Sequence, residues 1–257
     1  MKKINIDELL SPHHYKFETY HDATKIKKIP EKELSDKQWP KSWKESYYKA
    51  YPRFDEIKLP QKLLLKQVSF DEILSKRKSN RVFSNEKITT SLLGTLLKYG
   101  AGLNPNHQTP FAHRYYPSGG GRYPLEVYVV LLNGQLESGV YHYYPPNHSL
   151  EFLLPIKRLD YKSAFTPFNQ KWTQKAGIIL LITSVFKRSS IKYGENAYRF
   201  SLLEAGHMGQ NISLLSAPLG LNCCAVAGYS STYFEDLLGI DGVNESILYS
   251  FAIGKQP

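Results

Sequence analysis

From Ser69 onward the spacing of apolar residues separates helices from strands. Residues 69–77 read as a helix opened by a capping box, Ser69 followed three positions later by Glu72. A second helix spans 89–100, ending at Gly100 or Gly102, with leucines at 92, 93, 96 and 97 in helical spacing. Strand patterns then begin: 125–132 runs to the turn dipeptide Asn133-Gly134, and 139–144 and 150–154 flank Pro145-Pro-Asn-His148 as a hairpin. Residues 176–185 are apolar on both faces, as a central strand requires. The longest helix is expected over 197–219, with Leu202, Ala205, Met208, Gly209, Ile212 and Leu215 in phase and Gly220 as its stop. Strands at 222–229 and 247–253 bracket a short helix at 231–238.

This order predicts an α+β fold, helices packed around a mixed central sheet with one long central helix. Residues 1–65 differ: polar, aromatic and broken by Pro12, Pro30, Pro40, Pro52 and Pro60, they read as an extended N-terminal arm. The expected organisation is therefore an arm over 1–65 and one domain over 66–257.

Composition narrows the classes. With 257 residues, 42% of them hydrophobic and 22% charged, the chain is neither disordered nor fibrous. Its two cysteines, Cys223 and Cys224, are adjacent, which excludes a disulfide scaffold and a usual zinc site and suits a reducing compartment. Acidic residues precede any long apolar run at the N-terminus, and the longest such run, 176–182, is too short to span a bilayer. A cytoplasmic protein without a membrane or metal is expected. The net charge of +10 reads as a lysine-rich solvated surface. Trp39–Lys49 interleaves aromatics with lysine as nucleic-acid binders do, but no nucleic-acid-reading motif accompanies it, so no nucleic-acid partner is expected.

Three motifs could carry chemistry. Arg77-Lys-Ser79-Asn-Arg81 places two guanidiniums around a hydroxyl, a phosphate-binding arrangement or else a solvated basic loop. Pro117-Ser118-Gly119-Gly120-Gly121-Arg122 lies directly before a strand, where glycines let the backbone approach a planar or anionic ligand. It is neither a P-loop nor a dinucleotide fingerprint. Lys192-Tyr193 offers two proton carriers at the start of the long helix, and Glu204 and His207 could pair one turn apart, more simply as a structural hydrogen bond.

Taken in order, these motifs, with Gly139-Val-Tyr-His-Tyr143, Tyr198-Arg199, Glu204-Ala-Gly-His207 and Leu219-Gly-Leu221, resemble the SagB-type dehydrogenases of the nitroreductase superfamily, which include peptide azoline oxidases. The resemblance covers about Phe70 to Gly254, and Tyr20–Lys25 in the arm resembles that branch too. It implies a nitroreductase-like fold and an FMN enzyme, homodimeric with the flavin between subunits. It assigns Arg77, Ser79 and Arg81 to the phosphate and ribityl chain, Pro117, Ser118, Gly119 and Gly120 to the loop along the flavin ring, and Gly228 to backbone against the flavin. Lys192 and Tyr193 match the pair that azoline oxidases use for proton transfer, with Arg199 expected beside Lys192. With Pro257 just past the last strand, Lys255 is the expected C-terminal phosphate contact. Two departures stand out: Asn196 where many relatives carry Arg, and Gly121-Arg122 in place of a smaller, apolar pair.

The expected activity is oxidation of thiazoline or oxazoline rings to azoles in a peptide or small heterocyclic substrate, with a cyclase complex as a candidate partner. The alternatives are an NAD(P)H-dependent nitro- or quinone reductase, or a flavin-less docking subunit. The Lys-Tyr pair favours the first, and the retained arginines and glycines oppose the last.

Overall fold

The computed structural model describes residues 16–25, 38–44, 47–61, 64, 67–105, 113–156, 168 and 170–257. The N-terminal reading on residues 1–7, the basic positions 26–28 and Lys62 lie outside these residues. Seven strands form one sheet in the order β1-β4-β3-β2-β5-β7-β6: β1 Glu56–Lys58, β2 Leu125–Leu131, β3 Gly139–Tyr144, β4 Ser149–Pro155, β5 Ile178–Val185, β6 Leu221–Val226 and β7 Glu245–Lys255. The helices are α1 Lys16–Ala23, α2 Lys41–Lys44, α3 Phe70–Lys76, α4 Thr90–Ala101, α5 Lys187–Tyr193, α6 Asn196–Ser216 and α7 Ser231–Leu238.

Every pairing between these strands is antiparallel, so the expected mixed sheet is corrected. The long helix does link two strands that run the same way, β5 and β6. However, β7 inserts between them, antiparallel to both. β2 and β5 are buried at nearly every position, matching their unbroken apolar runs. One face of the sheet packs on α4 and α6 through Leu93, Leu96, Met208 and Ile212, the other on α7 through Phe234 and Leu238.

Local signals account for most boundaries. Thr89, expected as the first helical residue, instead caps α4 by accepting a hydrogen bond from the Leu92 N–H at 3.2 Å. Ser69 is the N-cap of α3 but makes no side-chain cap bond; its hydroxyl serves Asp71 instead, so the predicted capping box does not form. Gly209 packs against Phe251 and Tyr249, a space that a Cβ would fill, whereas Gly206 faces open space. Gly209, like the buried Ala205, is thus used in packing within the subunit. The arm is continuous with the domain: β1 pairs with β4, Leu59 enters the core, and Lys49 forms a 2.6 Å ion pair with Glu245. Among the described residues no helix is long and apolar enough to cross a membrane.

Candidate active site

The glycine loop, a short turn over Gly119–Gly121, sits at the start of β2 and packs directly on Lys192 and Tyr193. Gly120 has φ 60, a conformation that favours glycine. A Cβ there would collide with the Tyr193 hydroxyl at 2.1 Å and approach Lys192 Nζ at 3.1 Å. Only a residue without a side chain lets the pair close on the loop. Gly119 rests on the Phe200 ring, and the space above Gly121 is open. A cavity of about 320 Å³ runs along the loop, lined by Arg114, Tyr116, Pro117, Ser118, Gly121 and Tyr123.

Lys192 and Tyr193 precede the long helix, but as the end of a separate helix, α5; Gly194 at φ 53 then breaks the path into α6. Burial raises the Tyr193 pKa, offset in part by the Arg122 charge, so the phenol remains protonated. The Lys192 ammonium lies over the face of Trp39 at 3.6 Å, with Trp43 at 5.4 Å and Tyr193 at 5.5 Å from its nitrogen. Arg199, expected beside Lys192, turns away to the arm, where its guanidinium donates to His21 O at 3.2 Å and to the Thr24 hydroxyl.

Beneath α5 lies a buried ionic chain. Arg188 pairs with Glu126 at 2.5 Å, and His142 bridges Glu126 at 2.9 Å and Glu151 at 2.7 Å. Burial opposes the His142 charge, but the two carboxylates outweigh it, so both ring nitrogens donate and the pKa is raised. Burial likewise opposes the Glu126 charge, yet His142, Arg188 and Arg114 pull its pKa down to about 2. Glu126 is thereby held as a structural carboxylate. The chain ties β2, β3 and β4 to the helix that carries Lys192 and Tyr193.

Glu204 and His207 do not pair: Glu204 is buried beside Ser118, with Oε1 unpartnered, while His207 is exposed. Burial pushes the Glu204 pKa up to about 8, against the Ser118 hydrogen bond and the Arg114 charge. The unfolded chain releases this proton near pH 4.5, the folded chain only near 8. Stability is therefore fully present below the lower value and declines as pH rises between them, on the order of 3–5 kcal/mol. Glu204→Gln is expected to be near neutral at pH 4 and to raise the unfolding midpoint at pH 8.5. Urea unfolding at the two pH values tests this; an equal effect at both would contradict it.

Arg77, Ser79 and Arg81 follow α3 as extended chain beside β6, through a bridge between Ser79 and Cys223 and a 3.0 Å bond from Asn80 N–H to Cys223 O. Among the described residues neither arginine meets a carboxylate; Arg81 lies over Trp172. Lys255 ends β7 at the same corner, its ammonium on Glu86 at 2.6 Å. The Cys223 thiol is pushed up to about 12 by burial and is inert.

The arginine corner and the glycine loop lie at opposite ends of the sheet. Cys223 pairs with Ile253, whereas the loop enters β2 at Leu125, in the row of Ser184 and Ser246. From Phe200, under the loop, to Ser216, beside Cys223, α6 rises roughly 24 Å at about 1.5 Å per residue. Gly228, just beyond β6 in the direction of the Val226–Ser250 pair, falls toward the loop end. One subunit thus brings Lys192, Tyr193, Gly119 and Gly120 together and holds Arg77, Ser79, Arg81 and Lys255 apart from them.

Trp39, Trp43 and Arg122 were not legible as site residues. Arg122 donates to Arg188 O at 2.7 Å, Trp43 O at 2.7 Å and Ser42 O at 3.2 Å, and so clips the arm onto α5. Two tryptophans four positions apart were the available signal.

With this fold and site, the Nitroreductase family model matches residues 74–255, and the chain belongs to the nitroreductase family. It is 28% identical over 186 residues to MJ1384 of Methanocaldococcus jannaschii, a protein named as a nitroreductase, covering 72% of this chain and 90% of that one. It is 26% identical over 219 residues to the microcin B17-processing protein McbC of Escherichia coli, covering 79% of each. A chain in the solved E. coli microcin synthetase McbBCD complex with truncated pro-MccB17 matches with a TM-score of 0.58 over 99% of this chain and 98% of that one; at 21% identity this bears on the fold.

Proposed function

We propose that this protein is an FMN-dependent, SagB-type dehydrogenase that oxidises thiazoline or oxazoline rings of a peptide to thiazole or oxazole. The observation that carries the reading is the contact of Lys192 and Tyr193 with Gly120, which puts two proton carriers against the glycine loop, whose Pro117, Ser118 and Gly121 line the cavity beside it. The likeness to McbC, named for processing microcin B17, supports a peptide substrate.

The residues fit FMN. The Pro117–Gly121 cavity suits the ring, and two arginines without a carboxylate partner suit a phosphate. Because these lie at opposite ends of one subunit, a two-fold dimer is proposed, the arginines of one copy and the loop of the other flanking one cofactor. Exposed Tyr198, Leu202 and Leu203 on α6 offer apolar surface for such an interface. Lys255 would leave Glu86 to reach the phosphate.

FMN supplies a hydride acceptor. Oxidation of an azoline removes a hydride from one ring carbon and a proton from its neighbour, leaving the aromatic ring; the chain must accept that proton. Glu126 is committed to Arg188 and His142. Tyr193, kept protonated by burial, is a hydrogen-bond donor that orients the ring. Lys192, as the free amine, takes the proton. A cavity of about 700 Å³ lined by Arg122, Arg188 and Ile191 gives room for residues flanking the ring. A cyclase complex in the cytoplasm is the proposed setting.

MJ1384, named as a nitroreductase, favours a second reading, NAD(P)H-dependent reduction of nitro or quinone compounds. Such a reaction gives Lys192 no proton to remove from carbon. Mass spectrometry of an azoline-bearing peptide incubated with the FMN-loaded protein and oxygen decides: loss of two hydrogens per ring is expected, and an unchanged mass, with rapid nitroarene reduction in a separate assay supplied with NAD(P)H, would support the second reading.

A further inference from the structure

Trp39 and Trp43 belong to the arm, yet their rings face a side chain that ends α5. The Lys192 nitrogen is 3.6 Å from the Trp39 ring centroid, against 5.4 Å for Trp43 and 5.5 Å for Tyr193. A cation over the negative face of an indole is stabilised, and the neutral amine gains little by comparison. The three rings are therefore selective for protonated Lys192.

The cage is built to hold its shape. The Trp43 indole N–H donates to Ile191 O at 3.1 Å, in the residue before Lys192. Arg122 fastens the same arm segment from the other side through Trp43 O and Ser42 O, while its Nε donates to Arg188 O on α5. Trp39 and Trp43 meet edge to face, with centroids 6.4 Å apart. Aromatic faces thus hold a flexible lysine within reach of Gly120.

We propose that Trp39, seconded by Trp43, is a positioning residue for proton transfer: it receives the ammonium formed when Lys192 takes the substrate proton and holds that nitrogen at the glycine loop. The proposal rests on the reading of Lys192 as the proton acceptor. The proton leaves the ring carbon, its bonding electrons enter the azole ring as the hydride departs to FMN, and the new N–H bond lies on the Lys192 nitrogen.

The test uses the full-length protein with its lysines dimethylated by carbon-13 formaldehyde and a reductant. The resonance missing from Lys192→Arg is that of Lys192. It is expected well upfield of the surface lysines because of the ring current of Trp39. It should fall into the surface group in Trp39→Ala and stay largely shifted in Trp39→Phe. On unmethylated enzyme, Trp39→Ala should lower kcat for azoline oxidation about tenfold with KM little changed, and Trp39→Phe should restore most of it. A Lys192 resonance already among the surface lysines, or one that stays shifted in Trp39→Ala, would overturn the cage. Unchanged kcat in Trp39→Ala would overturn its role. Failure of the underlying reading is distinct: Lys192→Ala would then oxidise azolines normally although the Lys192 resonance of the unsubstituted protein is shifted.

Discussion

Lys192→Ala is expected to keep its FMN and its dimer while losing azoline oxidation by at least ~100-fold, the lower range for removal of a general base. A carbon-bound proton beside a ring nitrogen is a weak acid, and of the two side chains that meet Gly120 Lys192 is the one able to receive it. Tyr193 keeps its own proton because its partial burial raises its pKa. Glu126, the nearest alternative by sequence, is spent on Arg188 and His142, and its pKa of about 2 makes it a poor base. Glu126→Gln should consequently act on stability, since removing one member of a buried ionic chain leaves the others unpaired. Steady-state oxidation followed by mass spectrometry reads both variants. A near-normal rate for Lys192→Ala, with loss of turnover in a folded Glu126→Gln protein, would move the base to Glu126.

The second large effect is loss of the cofactor. Arg77→Ala and Arg81→Ala together should yield a folded, colourless protein, because the two guanidiniums around Ser79 are the charge complement of a terminal phosphate. Both lie in extended chain at the surface of β6 and support no described ion pair, so their removal should cost the fold little. Visible absorbance after gel filtration, with circular dichroism as the control for folding, is the measurement. Full flavin absorbance in the double variant would place the phosphate elsewhere.

Much of this arrangement was legible from local pattern. The apolar runs of β2 and β5 and the Pro145–His148 turn each depend on a few adjacent residues, and periodicity reports such features well, whereas α6 ends at Ser216, three residues before the expected Leu219. Sheet direction was not legible. A strand, a long helix and a strand suggest parallel neighbours, and nothing local to 221–226 announces that the last strand, β7, will separate them. The capping role of Ser69 was lost to Asp71, an equally local competitor. At the site, Gly120, Lys192 and Tyr193 were named by motif, but their contact depends on a fold that joins positions 120 and 193. The Trp39–Trp43 pair was misleading in isolation. Aromatics among lysines resemble a nucleic-acid surface, and here one of those aromatics takes a lysine from α5 instead. Arg122, visible only as a departure from its relatives, gained meaning when its three donors were seen to join the arm to α5.

The most direct test of azoline dehydrogenation is anaerobic mixing of the FMN-loaded protein with an azoline-bearing peptide while the visible flavin absorbance is followed. The account predicts bleaching by the peptide in a single turnover, stoichiometric with azole formation and strongly slowed in Lys192→Ala. Persistence of the flavin colour with azoline peptide, together with prompt bleaching by NADH or NADPH, would contradict it.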